Sequence, residues 1–411
     1  MNRDTLKQIM IDQKESYLNN PLIPRKYFLE ENVNYCFVGI RRTGKSYMMY
    51  QKIQSLIEKG VPVSQIVYVN FEDERLLEIT SDDLNIILEI GIELSGTANR
   101  PYLFFDEIQR IEGWQRLVNA YFSLDNFDVY VTGSNSKLLS GEFATYLTGR
   151  YINIKIFPFS FVEYLEYNKD SNLSKKELFM DYLTFGGFPA SFELDNKIQY
   201  LNDLFDSIVF NDIIKRFDIK NVDLLIRLTH FLVSNIGQLV SANSIVKYLK
   251  KDRINVSVNT VYNYISYLEE ACLIYKVKRE DLIGKKILNH LEKYYVVDLG
   301  FRESILKKDL DIGQSLENIV YFELLRRGYE VNIGKYNTKE IDFICRKGSE
   351  KIYIQVTYIL ANEEIHKREF DPLLKVNDNY PKYVLSLDDF DMSYMGVKHL
   401  NIINFLTGNE I

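Results

Sequence analysis

The sequence predicts an α/β protein that opens on a parallel sheet, and three stretches predict it. Val33-Asn34-Tyr35-Cys36-Phe37-Val38 is a short apolar run, rich in aromatic and β-branched residues, that reads as a buried strand. It leads into Gly39-Ile40-Arg41-Arg42-Thr43-Gly44-Lys45-Ser46, which fits Gly-x-x-x-x-Gly-Lys-Ser, and then into Tyr47, Met48, Met49, Tyr50, Ile53, Leu56 and Ile57 at helical spacing. Further on, Tyr102-Leu103-Phe104-Phe105 ends in Asp106-Glu107. Four bulky apolar residues followed by two carboxylates suit a central parallel strand whose C-terminal end opens on a ligand crevice.

Each element then has its role. Gly39 and Gly44 let the backbone curl until several N–H groups point at one place, which suits a phosphate, and the helix behind the loop adds the positive end of its dipole. Gly39, Ile40, Arg41, Arg42, Thr43, Gly44, Lys45, Ser46 and Tyr47 are therefore the candidate nucleotide-binding residues. Lys45 supplies the side-chain charge, and Ser46 with Asp106 forms the candidate Mg²⁺ pair. Glu107 faces the γ-phosphate as a base or orienter of attacking water. The competing reading of Asp106-Glu107 is a solvated acidic turn at a strand end.

Composition sets the bounds. The chain has 411 residues, 46% hydrophobic and 26% charged, enough for a large core and two or three domains. Neither a membrane-spanning run nor the apolar core of a signal peptide is present, so the expected location is the cytoplasm, with no membrane partner. Cys36, Cys272 and Cys345 lie far apart within apolar stretches and read as small buried hydrophobes rather than ligands or bridges. A net charge of −7 argues against a wholly basic surface.

The remaining chain divides by pattern. Residues 1–30 read as a polar helix and a Pro-containing lead-in, and 31–157 as the nucleotide fold, whose second strand is Gln65–Phe71. A fourth strand, Asp128–Thr132, ends in Gly133-Ser134-Asn135-Ser136, where either Ser134 or Asn135 would bond the γ-phosphate or its water. Arg150 is either a further charge near the phosphates or a surface arginine. Residues 158–238 are helical, broken by Phe185-Gly186-Gly187-Phe188-Pro189, since two glycines and a proline cannot sit inside a helix. Residues 239–300 carry a helix-turn-helix pattern, with Ser257 capping a second helix that turns Asn259, Asn263, Ser266 and Tyr267 outward and follows a turn bearing Lys250, Lys251 and Arg253. Between 243 and 290 nine Lys/Arg stand against five Asp/Glu, a local positive excess that favours DNA, although a packing module would share the pattern. In 301–411, a helix bearing Glu317 precedes the paired strands Glu340–Cys345 and Lys351–Tyr358, an α/β arrangement of acids found in metal-dependent nucleases.

Together these residues resemble the bacterial and archaeal P-loop ATPases of the AAA-like, STAND lineage, with a winged-helix segment and a restriction-endonuclease-like C-terminal domain. The resemblance spans nearly the whole chain and rests on GIRRTGKS, LFFDEIQRIEGW, VTGSNSKLLSGEFATYLTGR, the GGFP turn, LENIVYFELLRRGYEV and EIDFICRKGSEKIYIQV. It implies ATP as ligand, Asp106 as the Mg²⁺-associated aspartate, Glu107 as the catalytic glutamate, Ser134 or Asn135 as γ-phosphate sensor, and Arg150 as an arginine finger. It also implies that Gly187-Phe188-Pro189 meets the adenine side of the nucleotide. In the nuclease-like part Asp342 aligns with a metal-binding aspartate, but Gln355-Val356-Thr357 stands where an acidic-x-Lys element belongs, so a degenerate nuclease site is expected. The function expected is an ATP-hydrolysing switch that engages DNA or a protein partner and self-associates with ATP. Its competitors are a nucleotide-binding interaction module with negligible turnover and an active DNA endonuclease.

Overall fold

The computed structural model describes residues 1–96, 101–122, 127–134, 151–251, 253–284, 286–306 and 311–408. Met1–Phe157 with Glu270–Cys272 forms one compact unit, and Pro158–Glu269 with Leu273–Ile411 the other.

The first unit is a five-stranded sheet in the order β2-β3-β4-β1-β5, with every neighbouring pair parallel. Its strands are β1 (Tyr35–Val38), β2 (Ile66–Asn70), β3 (Tyr102–Asp106), β4 (Asp128–Gly133) and β5 (Ile152–Lys155). β1 and β3 are buried along their full length apart from the first residue of β3, as the unbroken apolar runs predict for strands covered on both faces. Aromatic rings tie neighbouring strands: Phe104 and Tyr130 stack at 4.5 Å, and Tyr130 stacks on Tyr35 at 5.9 Å.

Helix α3 (Lys45–Glu58) buries Met48, Met49, Ile53 and Leu56, the stripe that its spacing predicts. The lead-in departs from expectation. It forms two short helices, α1 (Arg3–Asp12) and α2 (Lys14–Asn19), which bury Leu6, Ile9, Met10 and Tyr17, so it is amphipathic rather than polar. Gln13, between them, pairs with the backbone of Asn70 and splices the lead-in onto β2.

The second unit begins with helices at Phe161–Tyr167, Lys175–Phe185, Lys197–Ile208 and Val222–Ser234. Gly186 ends the second of these at φ 74°, a conformation that glycine tolerates best, so the Gly-Gly-Phe-Pro break falls where the sequence puts it. Ala242–Lys251 and Val258–Glu270 follow as the helix-turn-helix pair, and the Ser257 hydroxyl accepts from the Thr260 N–H as the expected cap. Asn259, Asn263 and Ser266 face outward as read. Tyr267 does not, because its ring stacks on Phe217 at 4.1 Å, and Tyr262 takes the exposed place instead. Lys250 and Lys251 belong to the last turn of the first helix rather than to the connecting turn.

An antiparallel hairpin, Ile274–Asp281 with Lys286–Val296, then joins a mixed seven-stranded sheet. Arg279–Asp281 pairs with Ile333–Lys335, so this sheet takes strands from both sides of residue 300. Helix Ile312–Arg326 carries Glu317, and Lys339–Lys347 pairs with Glu350–Val356 across a turn at Gly348, as predicted. All three cysteines are buried and none is in a disulfide among the described residues. Among the described residues no helix is long and apolar enough to cross a membrane.

Candidate functional site

Strand register assembles the site. Tyr35 to Val38 lie level with Tyr130 to Gly133, and Phe105 is level with Val131, so Asp106 emerges beside Thr132 at the C-terminal edge of the sheet. Gly39 begins the loop at the same edge, its N–H directed at the Gly133 carbonyl. A Cβ on Gly39 would lie 2.1 Å from the Ile156 oxygen, so only glycine fits there, and Gly44 stands at φ 89°, outside the comfortable range of other residues. Helix α3 starts at Gly44 with no side-chain cap, leaving its first N–H groups to serve an anion.

Within this edge the charged groups meet. Lys45 is buried, donates to the Ile40 carbonyl at 3.2 Å, and places Nζ 3.4 Å from Glu107 Oε1. Asp106 is fully buried and accepts from the Tyr68 hydroxyl at 2.8 Å and from the Thr132 hydroxyl. Glu107 adopts a left-handed conformation, φ 54° and ψ 42°, that its N–H fixes by donating to Thr132 Oγ1 at 2.8 Å. Gln109 Nε2 donates to the Glu107 carboxylate and approaches Ser134 Oγ at 3.4 Å.

These contacts set the acidities. Burial, then the neighbouring Glu107 charge, raises Asp106 above the usual carboxylate value, against the pull of its hydroxyl donors. Burial is also the largest influence on Glu107 and pushes it up, but Lys45, Gln109 and Arg41 together leave it lowered. Oxygen ligands on a buried carboxylate and a nearby hydroxyl suit a hard cation such as Mg²⁺, and the Ser46 hydroxyl is among the groups that hold Asp106 down against burial.

Arg41 is half-buried and pairs with Glu72, Arg42 is exposed at φ 64°, and Tyr47 is exposed with its ring against Tyr50. Thr43 is buried and donates to the Ile40 carbonyl. Asn135 and Arg150 lie outside the described residues. Pro189 belongs to the second unit, where it opens the turn Pro189–Ser191, and Phe188 is buried there against Phe301 at 4.9 Å.

Four further residues, which no motif in the sequence marks, support the site. Thr132 joins Asp106 to Glu107; Tyr68 braces Asp106 from β2 and meets the Tyr50 hydroxyl at 3.2 Å; Gln109 holds the Glu107 carboxylate. Arg25 is buried under the loop, donating to the carbonyls of Thr43 and Phe157 at 3.0 Å each. A hydroxyl at the end of β4 was a legible signal for Thr132, whereas nothing local marks Arg25.

Residues 32–165 match the profile of an AAA domain, and residues 176–311 that of a domain of unknown function (DUF8612). An uncharacterized protein of Haemophilus influenzae is 37% identical over 404 residues, covering 95% of this chain and 100% of its own. Another, of Methanocaldococcus jannaschii, is 34% identical over 347 residues, covering 80% and 76%. The chain belongs to this family. In this chain the AAA-domain match and the parallel five-stranded sheet fit a P-loop NTPase fold. Among solved structures, the Walker-type ATPase of Pyrococcus abyssi aligns over 74% of this chain and 95% of its own at 14% identity and a TM-score of 0.40. The Orc1 protein of Aeropyrum pernix in complex with DNA aligns over 75% and 92% at 13% identity and a TM-score of 0.28.

Proposed function

We propose that the protein is a Mg²⁺-dependent, ATP-hydrolysing switch whose AAA domain couples nucleotide state to engagement of DNA or a protein partner. The observation that carries this reading is the cluster of Lys45, Ser46, Asp106 and Glu107 around an uncapped helix start, with Glu107 fixed by Thr132 and Gln109. Ser46 and Asp106 would hold Mg²⁺, which supplies charge neutralisation to the phosphate oxygens when bound. Lys45 then turns its ammonium from Glu107 to the β- and γ-phosphates. Release from Lys45 removes one of the influences that lower Glu107, so the carboxylate becomes a stronger base as the nucleotide arrives. Gln109 Oε1 is buried with no hydrogen-bond partner among the described residues, placed to accept from the water that Glu107 orients. Ser134, buried beside Gln109, and Asn135 remain the two candidates for γ-phosphate sensing, and Arg150 the candidate finger, in its own subunit or across an ATP-dependent self-association.

DNA is the partner we favour. Two helices followed by a two-stranded hairpin, with Val240 bridging to Glu292, support a winged-helix reading of 239–300. Lys247, Lys250, Lys251 and Arg253 are all exposed, as are Asn259 and Asn263, residue types suited to backbone phosphates and base edges respectively. Helix Ile312–Arg326 against a mixed sheet, with Glu317 and Asp342 directed at one place, supports a restriction-endonuclease-like reading of 301–411. Steady-state phosphate release with and without duplex DNA tests the switch. Stimulation or inhibition by DNA supports the coupling, and turnover indifferent to DNA moves it to a protein partner.

A further inference from the structure

The second unit holds a buried charge cluster that the nucleotide reading does not use. Lys293, on the strand Lys286–Val296, extends Nζ to Glu317 Oε1 at 2.7 Å, Glu340 Oε1 at 2.7 Å and Asp342 Oδ1 at 3.3 Å. The lysine side chain is 3% exposed, and the Tyr295 hydroxyl donates to Glu317 Oε1 at 2.6 Å. Asp342 Oδ2 accepts from the Val356 N–H at 2.9 Å, and the Asp342 N–H donates to Gln355 Oε1 at 3.1 Å. The acids that suggest a nuclease metal centre therefore do converge, but on an ammonium. Gly237, at φ 69°, closes the other side: a Cβ there would lie 3.0 Å from Glu317 Oε2.

The residues do not fit a divalent ion. Among the described residues no group of three or more His, Cys, Asp and Glu is placed to hold a metal. Gln355 spends its amide oxygen on the Asp342 backbone, and Thr357, buried, donates its N–H to Leu385. A metal bound among Glu317, Glu340 and Asp342 would have to displace an ammonium at 2.7 Å from two of them, and that ammonium has no other acceptor among the described residues.

We infer that Lys293 is the built-in cation of this cluster, standing where a metal-dependent nuclease holds its ion and pinning the edge strand Lys286–Val296 to the inner strand Lys339–Lys347 and the helix Ile312–Arg326, which carry the three acids. The cluster is thus a structural joint. It ties the edge of the sheet to its interior and to the helix of the same unit and performs no metal chemistry. Removing one partner of a buried ion group leaves the others uncompensated, which is far costlier than replacing the whole group.

Two measurements on the full-length, nucleotide-free protein test this. In thermal melts Lys293→Met should lower Tm by about 10 °C, and adding Glu317→Gln with Glu340→Gln should restore most of the loss. A Lys293→Met protein that melts like wild type, or a triple variant no more stable than the single one, overturns the joint. In Mn²⁺ titrations followed by electron paramagnetic resonance, wild type and Asp342→Asn should bind alike. Mn²⁺ binding by wild type that Asp342→Asn abolishes, or Mn²⁺-dependent plasmid nicking that Lys293→Met abolishes, would make the cluster a metal site with a catalytic lysine and overturn the inference.

Discussion

Glu107→Gln separates binding from turnover, because it keeps the shape of the side chain and deletes only its charge. In the structure Lys45 Nζ and Glu107 Oε1 are 3.4 Å apart, with 4% and 11% of their side chains exposed. At an effective dielectric of about 20, two unit charges at that distance attract by about 5 kcal/mol. Burial of the two ions offsets several kcal/mol of this. A net restraint of about 1–2 kcal/mol on Lys45 remains, and releasing it should tighten ATP binding by about 5–30-fold. Turnover should fall by about two to four orders of magnitude through loss of the base. Calorimetric titration with Mg-ATP reads the first quantity and single-turnover phosphate release the second. Weaker ATP binding together with slower turnover would refute the reasoning, since Glu107 would then be a structural support of the loop and not a competitor for its lysine.

Three further outcomes are expected. Thr132→Val deprives Asp106 and the Glu107 N–H of a shared partner, so it should cost about 2–4 kcal/mol in denaturant melts and slow turnover; wild-type turnover at unchanged stability would refute its bridging role. Asp298 accepts from the N–H groups of Gly187 and Gly300, yet burial raises its carboxyl to about 6, against the pull of those donors. The folded state therefore holds the proton more tightly than the unfolded chain, so this group's contribution is greatest below about pH 4, declines by about 3 kcal/mol up to pH 6 and is flat above. Asp298→Asn should flatten that part of the stability profile relative to wild type, and an unchanged slope between pH 4 and 6 would contradict it. Replacing Lys250, Lys251 and Arg253 by alanine should weaken binding to all duplexes and lower the salt slope by up to about three; unchanged affinity in filter binding would make the helix pair a packing module.

How far the sequence could be read follows from how local each signal is. Gly39, Gly44, Lys45 and Asp106 are legible because strand, loop and helix succeed one another in sequence, and the apolar runs of β1 and β3 admit no other placement. Arg25 and Tyr68 are not, since each reaches the site from an element that carries no mark of it. Tyr267 shows the limit of helical periodicity, which places a residue on a face but cannot see the Phe217 ring waiting there. Lys293 is the furthest case. The missing acid and lysine at Gln355 and Thr357 were visible, but the cation that takes over comes from a strand on the other side of the sheet order, and only tertiary structure brings it in.

The most direct test of the account is steady-state phosphate release from Mg-ATP by wild-type protein and Lys45→Ala, each with and without duplex DNA. Wild type should release phosphate, with a rate that changes on addition of DNA, while Lys45→Ala should neither bind ATP nor turn it over. No release from wild type under either condition, or equal release from Lys45→Ala, would contradict the switch.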